Sequence, residues 1–200
     1  MTMLQIIILL SFACCITSFT WGMFRFFRIV GRVPSGARVM QIAGVISTIA
    51  HLIALCLSGG ATRLTGLTSL GLYLISLALF WCAIRVNRKR PLSRAFSLDQ
   101  PEHITRRGPY RFVRHPFYSS YLLAWISGAI GSAQAWLWLT VLAMVVIYYL
   151  AARMEEQKFM ASSLAEEYTQ YRYRTGMFIP RLWARSRLRL NSAKSRTVTT

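Results

Sequence analysis

Residues 108–118 read Gly108-Pro109-Tyr110-Arg111-Phe112-Val113-Arg114-His115-Pro116-Phe117-Tyr118. Two arginines, a histidine and two tyrosines stand in this one stretch, directly before an apolar run. Gly108-Pro109 calls for a turn, because proline fixes φ and glycine permits unusual backbone angles. Pro116 suits the first turn of a helix, where its missing N–H costs nothing. A helix start offers a partial positive charge and N–H donors to an anion. Arg111, Arg114 and His115 add further donors, and the rings of Tyr110 and Tyr118 can stack or meet a cation. Beyond the apolar run comes Glu155-Glu156. These carboxylates could take hydroxyl or ammonium groups. Together the groups suit a ligand that carries both an anion and a cation.

The elements that must hold these residues are read from composition. The chain has 200 residues, enough for one domain, and is 54% hydrophobic. Its formal net charge is +18, from 24 Lys and Arg against 6 Asp and Glu. Those charges flank apolar runs, so anionic headgroups rather than nucleic acid are the expected partner. The apolar runs cover residues 3–24, 39–57, 67–86, 117–130 and 135–152. Most approach the ~20 residues that cross a bilayer. The run at 117–130 is short and is expected to be tilted or to stop partway. Only Gly131-Ser132-Ala133-Gln134 separates the last two, which must form an antiparallel hairpin. The expected fold is therefore all-α: a polytopic membrane protein of about five membrane segments, with a C-terminal helical hairpin. Residues 1–180 form one domain, three spans in 1–90 and the loop, hairpin and an interfacial helix at 153–173 in 91–180. Residues 181–200 read as a basic, disordered tail. No signal-peptide cleavage site follows the first run, which reads as a retained span. Arginine-rich loops after the first, third and fifth runs put the N-terminus outside and the C-terminus, with the motif loop, in the cytoplasm. The inner membrane of a bacterium is the expected location.

The motif GPYxxxRHPxY, the Glu pair and Tyr168-x-x-Tyr171 resemble the isoprenylcysteine carboxyl methyltransferase-like and phospholipid methyltransferase family of integral membrane methyltransferases. Arg174-Thr175-Gly176-Met177-Phe178-Ile179-Pro180 resembles the family's closing segment. The resemblance covers the second half of the chain. It implies a transferase that uses S-adenosyl-L-methionine. Carried over, the cofactor would lie against Glu102, His103, Ile104, Thr105, Tyr110, Arg114, His115, Pro116, Phe117, Tyr118 and Glu156. Glu155 and Arg153 would be the catalytic pair on the acceptor side. Several positions depart from the family pattern. His103 is displaced by one, Ser119-Ser120 follow the loop tyrosine, and Ala151 stands where an acceptor-facing arginine is usual. The acceptor half is thus less well matched than the cofactor half. The expected acceptor is lipophilic or lipidated, most simply a carboxylate of the isoprenylcysteine type. A phospholipid amine and a small thiol stay open. So do an NADPH-dependent reductase of the sterol type, with a related Arg-His-Pro-x-Tyr loop, and a non-catalytic membrane subunit.

Adjacent helix positions point about 100° apart, so one of Glu155 and Glu156 is expected to face the site, Glu156 by its spacing to Tyr168. His51 lies inside the second run. A neutral histidine bonded to a neighbouring helix is the plain expectation, and a functional ionisable group the other. Cys14, Cys15, Cys56 and Cys82 sit in apolar runs with no CxxC or Cys/His spacing, which implies neither disulfides nor a metal site.

Overall fold

The computed structural model describes residues 2–28, 34–57, 62–88, 92–93 and 103–181. Six helices carry it: α1 Met3–Phe26, α2 Ser35–Leu57, α3 Arg63–Asn87, α4 Pro116–Ser132, α5 Leu137–Met160 and α6 Ala165–Arg174. A 3₁₀ turn, Gly108–Arg111, precedes α4. Two short strands, β1 Phe27–Arg28 and β2 Leu92–Ser93, pair in parallel. Glu102 and the tail beyond residue 181 lie outside the described residues.

Helices α1, α2, α3 and α5 are each long and apolar enough to cross a membrane. Their outward faces carry Leu, Ile and Val, and their polar backbone is satisfied within each helix, as hydrocarbon requires. Thr62 caps α3, its side chain accepting from the Thr65 N–H at 3.2 Å. The chain is a helical membrane protein, and the fourth apolar run is different in kind. Helix α4 has only 17 residues and buries 13 of them. It packs on α1, α2, α3 and α5, and so forms the centre of the bundle.

Small side chains let it sit there. The Ser69 hydroxyl of α3 donates to the Ser127 carbonyl of α4 at 2.8 Å, and the Ser127 hydroxyl returns the bond to Ser69 at 2.5 Å. Ser76 donates to the Ser120 carbonyl at 2.7 Å. Close helix approach through small and hydroxylic residues is the usual way to join helices where no hydrophobic effect separates them from lipid. At Gly128 an added Cβ would lie 2.5 Å from His51 Cδ2, so only glycine admits the α2 imidazole.

The described part of the expected interfacial helix at 153–173 is divided. Residues 153–160 continue α5 for two further turns beyond the apolar run. The helix stops at Ala161, and Ser162 accepts from the Leu164 N–H at 3.2 Å to turn the chain into α6. Phe159 and Tyr168 then stack at 4.5 Å, holding α6 back against the end of α5. Tyr168 and Tyr171 are buried against protein rather than offered to lipid.

Candidate functional site

The loop before α4 is shaped by its glycine and prolines. Gly108 has φ +56°, and an added Cβ would meet Val86 at 2.6 Å. Pro116 opens α4 as its first residue, with His115 as N-cap. Residues 112–115 then run alongside the segment after α6. Gly176 N–H donates to the Phe112 carbonyl, Arg114 N–H to Gly176 and His115 N–H to Met177. This bridge clamps the motif to residues sixty positions on. Tyr110 is tied twice: Asn87 Nδ2 donates to its hydroxyl at 3.0 Å, and the Tyr171 hydroxyl donates to its carbonyl at 2.7 Å.

The extension of α5 brings the Glu pair to the same place. Glu156 is buried, with a side chain 4% exposed. Arg114 Nε donates to its Oε1 at 2.7 Å. His115 Nε2 lies 3.3 Å from that oxygen, and Arg172 Nε 3.6 Å from the other. Arg114 also donates to the Thr175 carbonyl. A charge removed from water needs partners of this kind, since an unpaired one costs several kcal/mol.

Glu155 keeps 31% of its side chain exposed. The Tyr118 hydroxyl donates to its Oε1 at 2.5 Å, and His115 Nδ1 lies 3.4 Å from its Oε2. Both carboxylates therefore meet the loop, where one was expected to. The 100° between them is spanned because His115 stands between, one ring nitrogen toward each. Burial disfavours the charged imidazole, but the contacts with Glu155 and Glu156 outweigh it and hold His115 above its ordinary pKa.

The Tyr118 ring stacks near-parallel with His115, centroids 5.7 Å apart, and with Tyr148 at 5.2 Å. Two neighbours thus already use the ring expected to meet a cation. Pro116 and Phe117 are buried at the head of α4, Phe117 edge-on to Phe80 at 5.6 Å. His103, Ile104 and Thr105 are half-buried in the irregular approach to Gly108. Among the described residues they make no hydrogen bond or ion pair with the Glu pair. Their neighbour Arg106 pairs with Glu167 of α6 at 3.0 Å. Arg153 is exposed on α5, its guanidinium 3.4 Å from the Tyr149 hydroxyl. His51 is fully buried; its Nδ1 lies 2.8 Å from the Ser47 carbonyl and its Nε2 3.1 Å from the Trp125 carbonyl of α4. That is the helix-bonded histidine expected on plain grounds.

Sequence reasoning missed Arg172, Thr175 and Tyr148 as parts of this cluster. The first two follow the Tyr168-x-x-Tyr171 signal closely enough to have been included. Tyr148 lies inside an apolar run, and nothing in its neighbours marks it.

A family model for phospholipid methyltransferases matches residues 53–167. That stretch takes in the motif loop, α4, the Glu pair and the start of α6. The chain is also 31% identical over 114 residues to the cobalt-zinc-cadmium resistance protein CzcN of Cupriavidus metallidurans. The shared stretch is 56% of this chain and 47% of that protein, so the chain spans about half the length of this curated relative.

Proposed function

Because this chain belongs to the phospholipid methyltransferase family, we propose that it transfers a methyl group from S-adenosylmethionine to a lipophilic acceptor held in the bilayer. The observation that carries this reading is the His115–Glu155–Tyr118 cluster at the head of α4, in which one carboxylate keeps part of its surface exposed.

The donor set suits the cofactor. Glu155 could accept from ribose hydroxyls or the ammonium group, and the start of α4 favours a carboxylate. When bound, the cofactor supplies a methyl group made electrophilic by its sulfonium. The protein's task is then to align the acceptor with it and exclude water, because displacement at carbon is in-line. Buried Glu156, held by Arg114 and Arg172, fixes the floor of the cluster. Glu155 is the group left to meet ligand, with Tyr118 holding it in place.

The acceptor implied by the sequence, a carboxylate of the isoprenylcysteine type, needs no base. An amine must lose a proton; for a phospholipid amine, the second reading, Glu155, 31% exposed against 4% for Glu156, is the more accessible base. The site would face the cytoplasm of a bacterial inner membrane, with anionic headgroups around it.

Calorimetry on the detergent-purified full chain, with S-adenosylhomocysteine and NADPH as separate ligands, tests the proposal. Binding of the first alone supports it. Binding of NADPH alone moves the chain to the reductases, and binding of neither removes the enzyme reading.

A further inference from the structure

We propose that Tyr148 of α5 is a positioning residue of the candidate site, acting through the Tyr118 ring on Glu155. The observations form one connected line from mid-bundle to the site. His51 Nε2 lies 3.1 Å from the Trp125 carbonyl. Trp125 Nε1–H donates to the Tyr148 hydroxyl at 3.3 Å. The Tyr148 ring stacks on Tyr118 at 5.2 Å with 13° between the planes. The Tyr118 hydroxyl donates to Glu155.

The ring stack and the Tyr118 hydroxyl bond are the links that act on the site. Buried Trp and Tyr need a partner for their polar atoms, and here they supply one another's. Trp125 and Tyr148 are both 5% exposed, so neither has room to turn. With His115 stacked on it as well, Tyr118 has its ring orientation fixed by two neighbours. Its hydroxyl is therefore aimed rather than free, and it holds Glu155 Oε1 while His115 holds Oε2. Without the Tyr148 ring a void opens beside Tyr118. The ring can then tip and carry its hydroxyl away from the carboxylate. Among the described residues Tyr148 makes no hydrogen bond with either carboxylate, so its effect on the site passes through Tyr118.

The ligand-binding arm of the test rests on the methyltransferase reading; a second arm needs no ligand. In the first, S-adenosylhomocysteine affinity of the full chain is measured by calorimetry. Tyr148→Leu should weaken it by about 3- to 10-fold, the value of one aromatic stack. Tyr148→Phe, which keeps the ring, should restore it to within about twofold of wild type. Met144→Ala is the control for mere loosening of α5: Met144 is fully buried one turn earlier and outside the cluster. It should lower the melting temperature and leave affinity unchanged.

In the second arm, the imidazole resonances of the chain's 3 histidines are followed against pH. His115 should titrate nearer its ordinary value in Tyr148→Leu, because Glu155 is no longer held beside it, and should be unmoved in Tyr148→Phe and Met144→Ala. Wild-type behaviour of Tyr148→Leu in both arms would overturn the proposal, as would equal losses in Met144→Ala. If wild type fails to bind the ligand while His115 responds as stated, the methyltransferase reading falls and the positioning role stands.

Discussion

Arg114 Nε lies 2.7 Å from Glu156 Oε1, with both side chains buried at 6% and 4% exposure. This pair joins the head of α4 to the end of α5. Arg114 Nη1 also reaches the Thr175 carbonyl, so the same guanidinium holds the segment after α6. Removing one partner leaves a buried charge behind. Arg114→Gln is expected to cost about 3–5 kcal/mol of stability. Arg114→Gln with Glu156→Gln should cost clearly less than the sum of the two single changes. Melting curves in detergent give all four corners of the cycle, and strict additivity would mean that the pair does not couple.

The pH dependence follows from His115. Its folded-state pKa is raised above the ordinary 6.5, because contacts with Glu155 and Glu156 outweigh the effect of burial. The stabilisation is therefore complete below the unfolded value and is lost as pH rises through the folded one. Melting temperature should fall across the window that begins near pH 6.5 and extends above it. His115→Asn should flatten that slope. An unchanged slope in the variant would assign the pH dependence to another group.

Gly128 is a stability test away from the site. Its missing Cβ makes room for His51, which is pinned by two carbonyl contacts and stacked with Phe12 at 6.0 Å. The ring has nowhere to yield. Gly128→Ala should destabilise by about 1–3 kcal/mol, the usual range for overpacking a filled core. His51→Ala in the same background should recover part of the loss in a thermal melt. If it recovers none, the collision is not the cause.

Much of this was legible in residue types. Gly108 and Pro116 have strong local meanings, and the positive φ and the helix start follow from them. The Glu pair was legible through the family resemblance, by its spacing to Tyr168. The bridge between Val113 and Gly176 was not, since it depends on the chain reversing at residues 161–164, where only two serines give a sign. The central place of α4 was half-legible. Its serines and glycines mark close packing, but a short apolar run reads equally as a tilted span. Tyr148 was hidden because an aromatic residue in a membrane helix is ordinary, and only the Tyr118 stack gives it a role.

Orientation rests on the arginine asymmetry of the loops. The segments after α1, α3 and α5 are rich in arginine, while the N-terminus, the 58–66 loop and the α4–α5 link hold only Arg63. Reporter fusions after Gly131 and after Arg181 should report opposite sides of the membrane, with Arg181 cytoplasmic. The same side for both would mean that the bundle is crossed a different number of times.

The Glu pair separates holding from binding. Both carboxylates meet His115, but their surroundings differ. Glu156 faces Arg114 and Arg172 as well and is buried, so its charge balances the interior. Glu155 leaves 31% of its side chain exposed. Glu156→Gln should therefore show first as lost stability, with ligand affinity falling only as the loop loosens. Glu155→Gln keeps the shape and removes the charge. It should lower the melting temperature less than Glu156→Gln does and weaken S-adenosylhomocysteine binding about tenfold or more, the value of a hydrogen bond to a charged group. The spacing to Tyr168 pointed to Glu156 as the ligand contact. Burial argues for Glu155, because a carboxylate already shared among two arginines and a histidine has little left to offer. If Glu156→Gln abolished binding in a protein that melts like wild type, the spacing argument would be right and the burial argument wrong.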